Sequence, residues 1–92
     1  MKQVRLNVRN AVGLHARPAA VFVSEASRFA SQIRVRNATR HSPWVDAKSI
    51  LSVLTLGVEH DHEIEITVDG PDEEQAAAGL EQLIASDFAG KL

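Results

Sequence analysis

Three segments of the chain alternate apolar and polar residues with a period of two, and each has only one apolar face. Val4, Leu6 and Val8 are interleaved with Gln3, Arg5, Asn7 and Arg9; Ile33 and Val35 with Gln32, Arg34 and Arg36; Ile64, Ile66 and Val68 with Glu63, Glu65, Thr67 and Asp69. Successive side chains of a strand point to opposite faces, so each segment reads as a half-buried strand. A sheet built from such strands has one face to cover and one to leave in water. The remaining segments must supply the cover.

From Ala16 to about Ala30, the residues Ala19, Phe22, Val23, Ala26, Phe29 and Ala30 recur at intervals of three and four, the spacing of an amphipathic helix. Pro18 suits its first turn, where a missing N–H costs little. Asn37 to Pro43 is polar and reads as a turn or loop, followed by Trp44-Val45 as a short edge strand. Ser49 begins a short helix that stops at Gly57, with a hydroxyl N-cap before it and glycine after it. Gly70-Pro71 ends the third alternating segment. Asp72 is placed to cap a last helix, with Glu73 and Glu74 in its positive first turn and Ala76, Ala77, Leu80, Leu83 and Ile84 on its buried face. The order β-α-β-β-α-β-α over residues 1–92 predicts a single α+β domain. Its architecture is an open-faced β-sandwich, with three helices on one face of a four-stranded antiparallel sheet.

Charge predicts the strand order. Residues 1–48 hold nine of the ten Lys/Arg and two acids, 9 − 2 = +7; residues 49–92 hold one lysine and ten acids, 1 − 10 = −9. The two basic strands carry Arg5 and Arg9, and Arg34 and Arg36; the acidic one carries Glu63, Glu65 and Asp69. Opposite charges across a ladder stabilise and like charges destabilise, so the acidic strand belongs between the basic ones, in the order 1-4-2-3. The net charge of −2 gives no general drive toward nucleic acid or an anionic membrane. The absence of cysteine excludes disulfides, thiol catalysis and Cys-based zinc. No apolar run reaches the roughly 20 residues that span a bilayer. A chain without a signal segment at Met1–Arg5 is expected in the cytoplasm, and the tail Phe88–Leu92, with no linker, favours a free-standing protein.

His15 combines several properties. It follows Gly13-Leu14 in a loop, directly precedes the first helix, and stands two residues before Arg17. Helix N-termini bind anions through free N–H groups, and an arginine adds a permanent cation with a fork of donors. A histidine that accepts a phosphoryl group needs such surroundings. Taken alone, His-x-Arg also fits an ordinary histidine beside an N-cap.

The wider string Gly13-Leu14-His15-Ala16-Arg17-Pro18-Ala19-Ala20 closely resembles the active-site segment of the histidine-containing phosphocarrier (HPr) family, the general carriers of the bacterial phosphoenolpyruvate-dependent sugar phosphotransferase system. Lys48-Ser49-Ile50-Leu51-Ser52-Val53-Leu54-Thr55-Leu56-Gly57 resembles the segment around that family's regulatory serine, and Glu63 to Glu73 is similar in place and type. The resemblance covers nearly all the chain and implies the same open-faced sandwich. It implies a phosphocarrier rather than an enzyme, with no cofactor and no metal. His15 would be phosphorylated on Nδ1 by Enzyme I, using phosphoenolpyruvate, and would pass the group to IIA domains of sugar permeases. Arg17 would steady the charge in transfer.

Ser49 has two compatible readings: an N-cap, and by resemblance a site for regulatory phosphorylation by an HPr kinase/phosphorylase. The helix it opens is too apolar to bury completely. Val53 and Leu56 are expected in the core, and Ile50, Leu51 and Leu54 at the surface near His15 as a docking patch. Together with Ala16 these would meet Enzyme I, IIA domains and a transcriptional regulator, with the chain acting as a monomer. His60-Asp61-His62 reads as a solvated turn rather than a metal site. The segment holding His41 and Trp44 is longer than is usual in the family. An HPr-like domain of a multiphosphoryl transfer protein or of a dihydroxyacetone kinase system is the alternative context. A purely regulatory module would lack His15, and RNA binding would want stacking aromatics, which the polar strand faces do not offer.

Overall fold

A computed structural model describes residues 1–88; the reading of the tail at 89–92 lies outside them. The elements follow the expected order: β1 (Lys2–Asn7), α1 (Ala16–Ser27), β2 (Gln32–Asn37), β3 (Val45–Asp46), α2 (Ile50–Thr55), β4 (Glu63–Asp69) and α3 (Glu73–Ala85). The sheet is antiparallel with the order β1-β4-β2-β3. Ile33, Val35, Ile64, Ile66 and Val68 of the sheet are buried with Phe22, Ala26, Val53, Leu80 and Leu83 of the helices, in one core. This is the open-faced sandwich.

The charge argument for strand order holds at one residue above all. Glu65 on β4 is in register with Arg5 on β1 and with Arg36 on β2. Arg36 donates to its carboxylate through Nε at 2.7 Å, Arg5 Nη2 lies 3.4 Å from it, and Gln3 donates at 3.2 Å. The hydrogen bond from Arg36, aided by the charges of Arg36 and Arg5, holds the Glu65 carboxyl below the ordinary glutamate range against the opposing effect of burial. Arg9 and Arg34 do not take part as expected. Arg9 lies beyond the end of β1, and Arg34 faces Thr67 on one side and Asp46 on the other.

Four local readings are corrected. First, α1 ends at Ser27 rather than near Ala30. Its last turn tightens, with the Arg28 N–H reaching the Glu25 and Ala26 carbonyls, and Ala30 is exposed. Second, Asp72 precedes α3 but its side chain does not cap it. The carboxylate instead accepts from the N–H groups of Ala30 and Ser31, at 2.8 and 2.9 Å, and from the Ser31 hydroxyl. It thereby closes the turn that ends α1 early. Third, β3 is Val45–Asp46, one residue later than Trp44-Val45. Fourth, Val45 packs on the core, so the pleat sends Trp44 to the open face. There the Arg36 guanidinium lies 5.5 Å from the centre of its ring. The open face therefore carries one aromatic, contrary to the expectation of none.

Candidate phosphoryl-acceptor site

The loop before α1 is held from below. Asn10 Nδ2 donates to the Gly13 carbonyl at 2.7 Å, and the Leu14 N–H donates to the Val58 carbonyl at 3.0 Å. Leu14 is fully buried. Gly13 has φ +63°, and a Cβ there would stand 2.0 Å from the Val58 oxygen. The glycine is thus required by an approach of the chain to itself, in a backbone region that glycine enters without penalty.

His15 sits at the N-cap of α1 with extended backbone (φ −118°, ψ 160°), half-buried, and its side chain does not cap the helix. The first-turn N–H groups have no intrahelical acceptor, and Pro18 has no N–H. The groups of Ala16 and Arg17 therefore stand at the helix start. Ala16 has φ +51°, a left-handed conformation that costs an L-residue about 1–2 kcal/mol. It is exposed, as is Arg17. Among the described residues, Arg17 forms no salt bridge.

The imidazole has one partner among the described residues: Nε2 is 2.9 Å from Oε2 of Glu59. An ionised carboxylate only accepts, so Nε2 carries the proton and donates. In the neutral ring, Nδ1 then keeps its lone pair. Glu59 is 44 residues from His15, and no spacing or motif in the chain announced it. A carboxylate just after the Gly57 helix stop was the only available hint.

The residues around Glu59 are firmly placed. Its N–H donates to Nδ1 of His62 at 3.0 Å, and its carbonyl accepts from the His62 N–H at 3.1 Å. The turn is tied to the end of β1 by Val8 N–H to the His62 carbonyl (2.9 Å) and Asp61 N–H to the Val8 carbonyl (2.7 Å). Asn37 Nδ2, buried at the end of β2, lies 3.1 Å from His62 Nδ1 and also donates to the Leu56 carbonyl. His62 is therefore a structural member of this turn. His60 meets Asn10 and Asp61 instead. Among the described residues no three metal-ligating side chains converge.

Ser49 is the N-cap of α2, its hydroxyl accepting from the Ser52 N–H at 3.3 Å. Val53 and Leu56 are in the core, while Ile50, Leu51 and Leu54 are 38%, 75% and 37% exposed. This is the division that helix periodicity gave. α2 packs against α1, and the chain leaving it runs through Gly57 and Val58 to Glu59, beneath His15.

Residues 2–86 match the family model for the HPr component of the phosphotransferase system, described by its phosphorylation site. The chain belongs to the HPr family. It is 44% identical over 89 residues to the phosphocarrier protein HPr of Treponema pallidum, covering 96% of this chain and 94% of that one. It is 47% identical over 73 residues to a multiphosphoryl transfer protein of Vibrio cholerae; the match takes in 79% of this chain but only 18% of the relative's length. Among solved structures, an HPr from Thermoanaerobacter tengcongensis superposes with a TM-score of 0.91 at 43% identity, with both chains fully covered. A dimer of HPr from the same organism gives 0.74 at 44% identity, over 97% of this chain and 99% of that one. HPr proteins are phosphocarriers rather than enzymes with a substrate pocket. Among the described residues no helix is long and apolar enough to cross a membrane.

Proposed function

We propose that the chain carries a phosphoryl group on Nδ1 of His15, taking it from Enzyme I and passing it to IIA domains of sugar permeases. The observation that carries this reading is the half-exposed imidazole at the start of α1, with Nε2 engaged and Nδ1 without a partner among the described residues. In the forward step the Nδ1 lone pair attacks phosphorus, an N–P bond forms, and the bond from phosphorus to the donor atom breaks. The donor keeps that electron pair, and the ring keeps its proton on Nε2. The return step reverses this, the N–P pair falling back onto the ring as the next acceptor attacks. The free N–H groups of Ala16 and Arg17 and the Arg17 guanidinium face the charge on the moving group. The partners bring the rest of the catalytic groups, so no deep cavity is needed.

Ile50, Leu51 and Leu54, with Ala16, form the docking surface for Enzyme I, the IIA domains and a transcriptional regulator. Ser49 is the site at which an HPr kinase/phosphorylase would regulate that docking. The HPr-like domain of residues 1–92 works as a cytoplasmic monomer, without cofactor, metal or nucleic acid. A second context, one domain of a multiphosphoryl transfer protein, is favoured by the 47% identity to the Vibrio cholerae relative; the chemistry at His15 is the same in both. The test is incubation with phosphoenolpyruvate and Enzyme I, read by intact mass. One acid-labile phosphoryl group is expected, absent from His15→Ala. Normal labelling of His15→Ala overturns the assignment.

A further inference from the structure

We propose that Glu59 is a positioning residue for His15, its carboxylate holding the Nε2–H so that the Nδ1 lone pair is the one presented to phosphorus. The inference rests on the phosphocarrier reading and deepens it. Three observations carry it. The contact is short, 2.9 Å, and it joins two side chains that are 37% and 58% exposed, where water could have served either one. The Glu59 backbone is clamped at its N–H and its carbonyl by His62, and the same turn is tied to Val8. The other side of the contact is fixed as well, because Leu14 bonds to Val58, the residue before Glu59. Both partners thus stand on one short frame, and their separation does not depend on distant motion. A mobile surface pair contributes little because ordering two long side chains opposes it. Here the backbone beneath both side chains is already fixed, so only the side-chain torsions remain to be ordered.

The carboxylate also acts during transfer. When Nδ1 bonds phosphorus while Nε2 keeps its proton, the ring gains positive charge. Glu59 accepts the hydrogen bond from that charged ring, and hydrogen bonds to charged groups are stronger than neutral ones. The ring that holds the phosphoryl group is also a better leaving group when protonated, so the same contact serves both receipt and release.

The test uses the full chain in wild-type, Glu59→Ala and Glu59→Gln forms, each checked by thermal melting. Glutamine can still accept the Nε2–H but carries no charge. With Enzyme I and phosphoenolpyruvate, kcat for the carrier should fall by about threefold to fivefold in Glu59→Ala, the upper part of what an exposed pair supports, with KM little changed. Glu59→Gln should recover part of the loss. In ring 15N and 1H spectra, the His15 Nε2–H should exchange slowly in wild type, faster in Glu59→Gln and fastest in Glu59→Ala. A raised KM with unchanged kcat would mean that Glu59 docks the partner and would overturn the proposal. Equal kcat and equal exchange in all three forms would overturn it too. Failure of wild type to accept any phosphoryl group would defeat the phosphocarrier reading instead, while the ring spectra would still decide whether Glu59 anchors His15. Should Glu59→Ala fail to fold, the comparison of Glu59→Gln with wild type decides by both readouts.

Discussion

The carboxylate of Asp72 accepts the backbone N–H of Ser31 at 2.9 Å and the Ser31 hydroxyl as well, across 41 residues of chain. These bonds, with the one from the Ala30 N–H, join the turn after α1 to the start of α3. The Ser31 hydroxyl first, and then the Ala30 N–H, hold the Asp72 carboxyl below the ordinary aspartate range. A depressed folded-state pKa stabilises the fold above the unfolded value, and that contribution is lost as pH falls through the folded value. Asp72→Ala should therefore be less stable than wild type at pH 7. The gap should narrow below the ordinary aspartate range, as wild type loses the same contribution. Urea melts at a series of pH values check this; a gap that widens in acid would contradict it.

Glu65 gives a second acid-sensitive contact with its own signature. Arg36→Met removes the largest cause of its lowered pKa and leaves Arg5 at 3.4 Å. The Glu65 pKa should rise toward its ordinary value, so the ionised form gives less stability at neutral pH and the acid transition begins at higher pH. Methionine keeps an unbranched apolar stem of similar length without the guanidinium. Loss of the guanidinium from its place 5.5 Å over the indole should also change Trp44 fluorescence.

Ser49 separates folding from docking. Ser49→Ala removes the cap to Ser52 and should cost about 1 kcal/mol in urea unfolding while His15 still accepts phosphate normally. Ser49→Asp should keep or slightly raise stability, since a carboxylate still caps and meets the positive helix end. The same aspartate should slow Enzyme I-dependent labelling, because its charge lies at the rim of the exposed Ile50, Leu51 and Leu54 surface. Full activity of Ser49→Asp at low salt would refute docking there.

Arg17 is exposed and has no salt bridge among the described residues, so Arg17→Ala should leave the melt almost unchanged. Transfer from Enzyme I should slow by at least about tenfold, a modest share of what removing a charge-stabilising donor can cost. Stopped-time labelling against a matched thermal melt measures both at once. Equal rates would reject the role.

The element order, the strand order and the buried faces were readable from the chain because they depend on local periods and on charge sign. A period of two set Ile33, Val35, Ile64, Ile66 and Val68 on the core side, and a period of three to four set Phe22, Ala26, Leu80 and Leu83 against them. The sign of the charge on each polar face put β4 between β1 and β2, because Glu65 can answer two arginines only from the middle. His15 and Arg17, the residues proposed for phosphoryl transfer, were singled out from the chain because the features that mark them lie within a few consecutive residues.

What only the tertiary structure decided is what each loop meets. Asp72 has the sequence position of a helix cap, but a carboxylate goes to the best donors within reach, and the fold brings the amides of Ala30 and Ser31 to it. Trp44 could face either side until the pairing of Val45 with Val35 set the pleat. Glu59 reaches His15 because Leu14 bonds to Val58 and His62 folds the turn back on itself. Such contacts depend on the three-dimensional placement of segments dozens of residues apart, and no local period records them. The chain alone singled out His15 and, by resemblance, its Nδ1 as the proposed acceptor, whereas the folded chain showed Glu59 against Nε2, a contact that no run of neighbouring residues records.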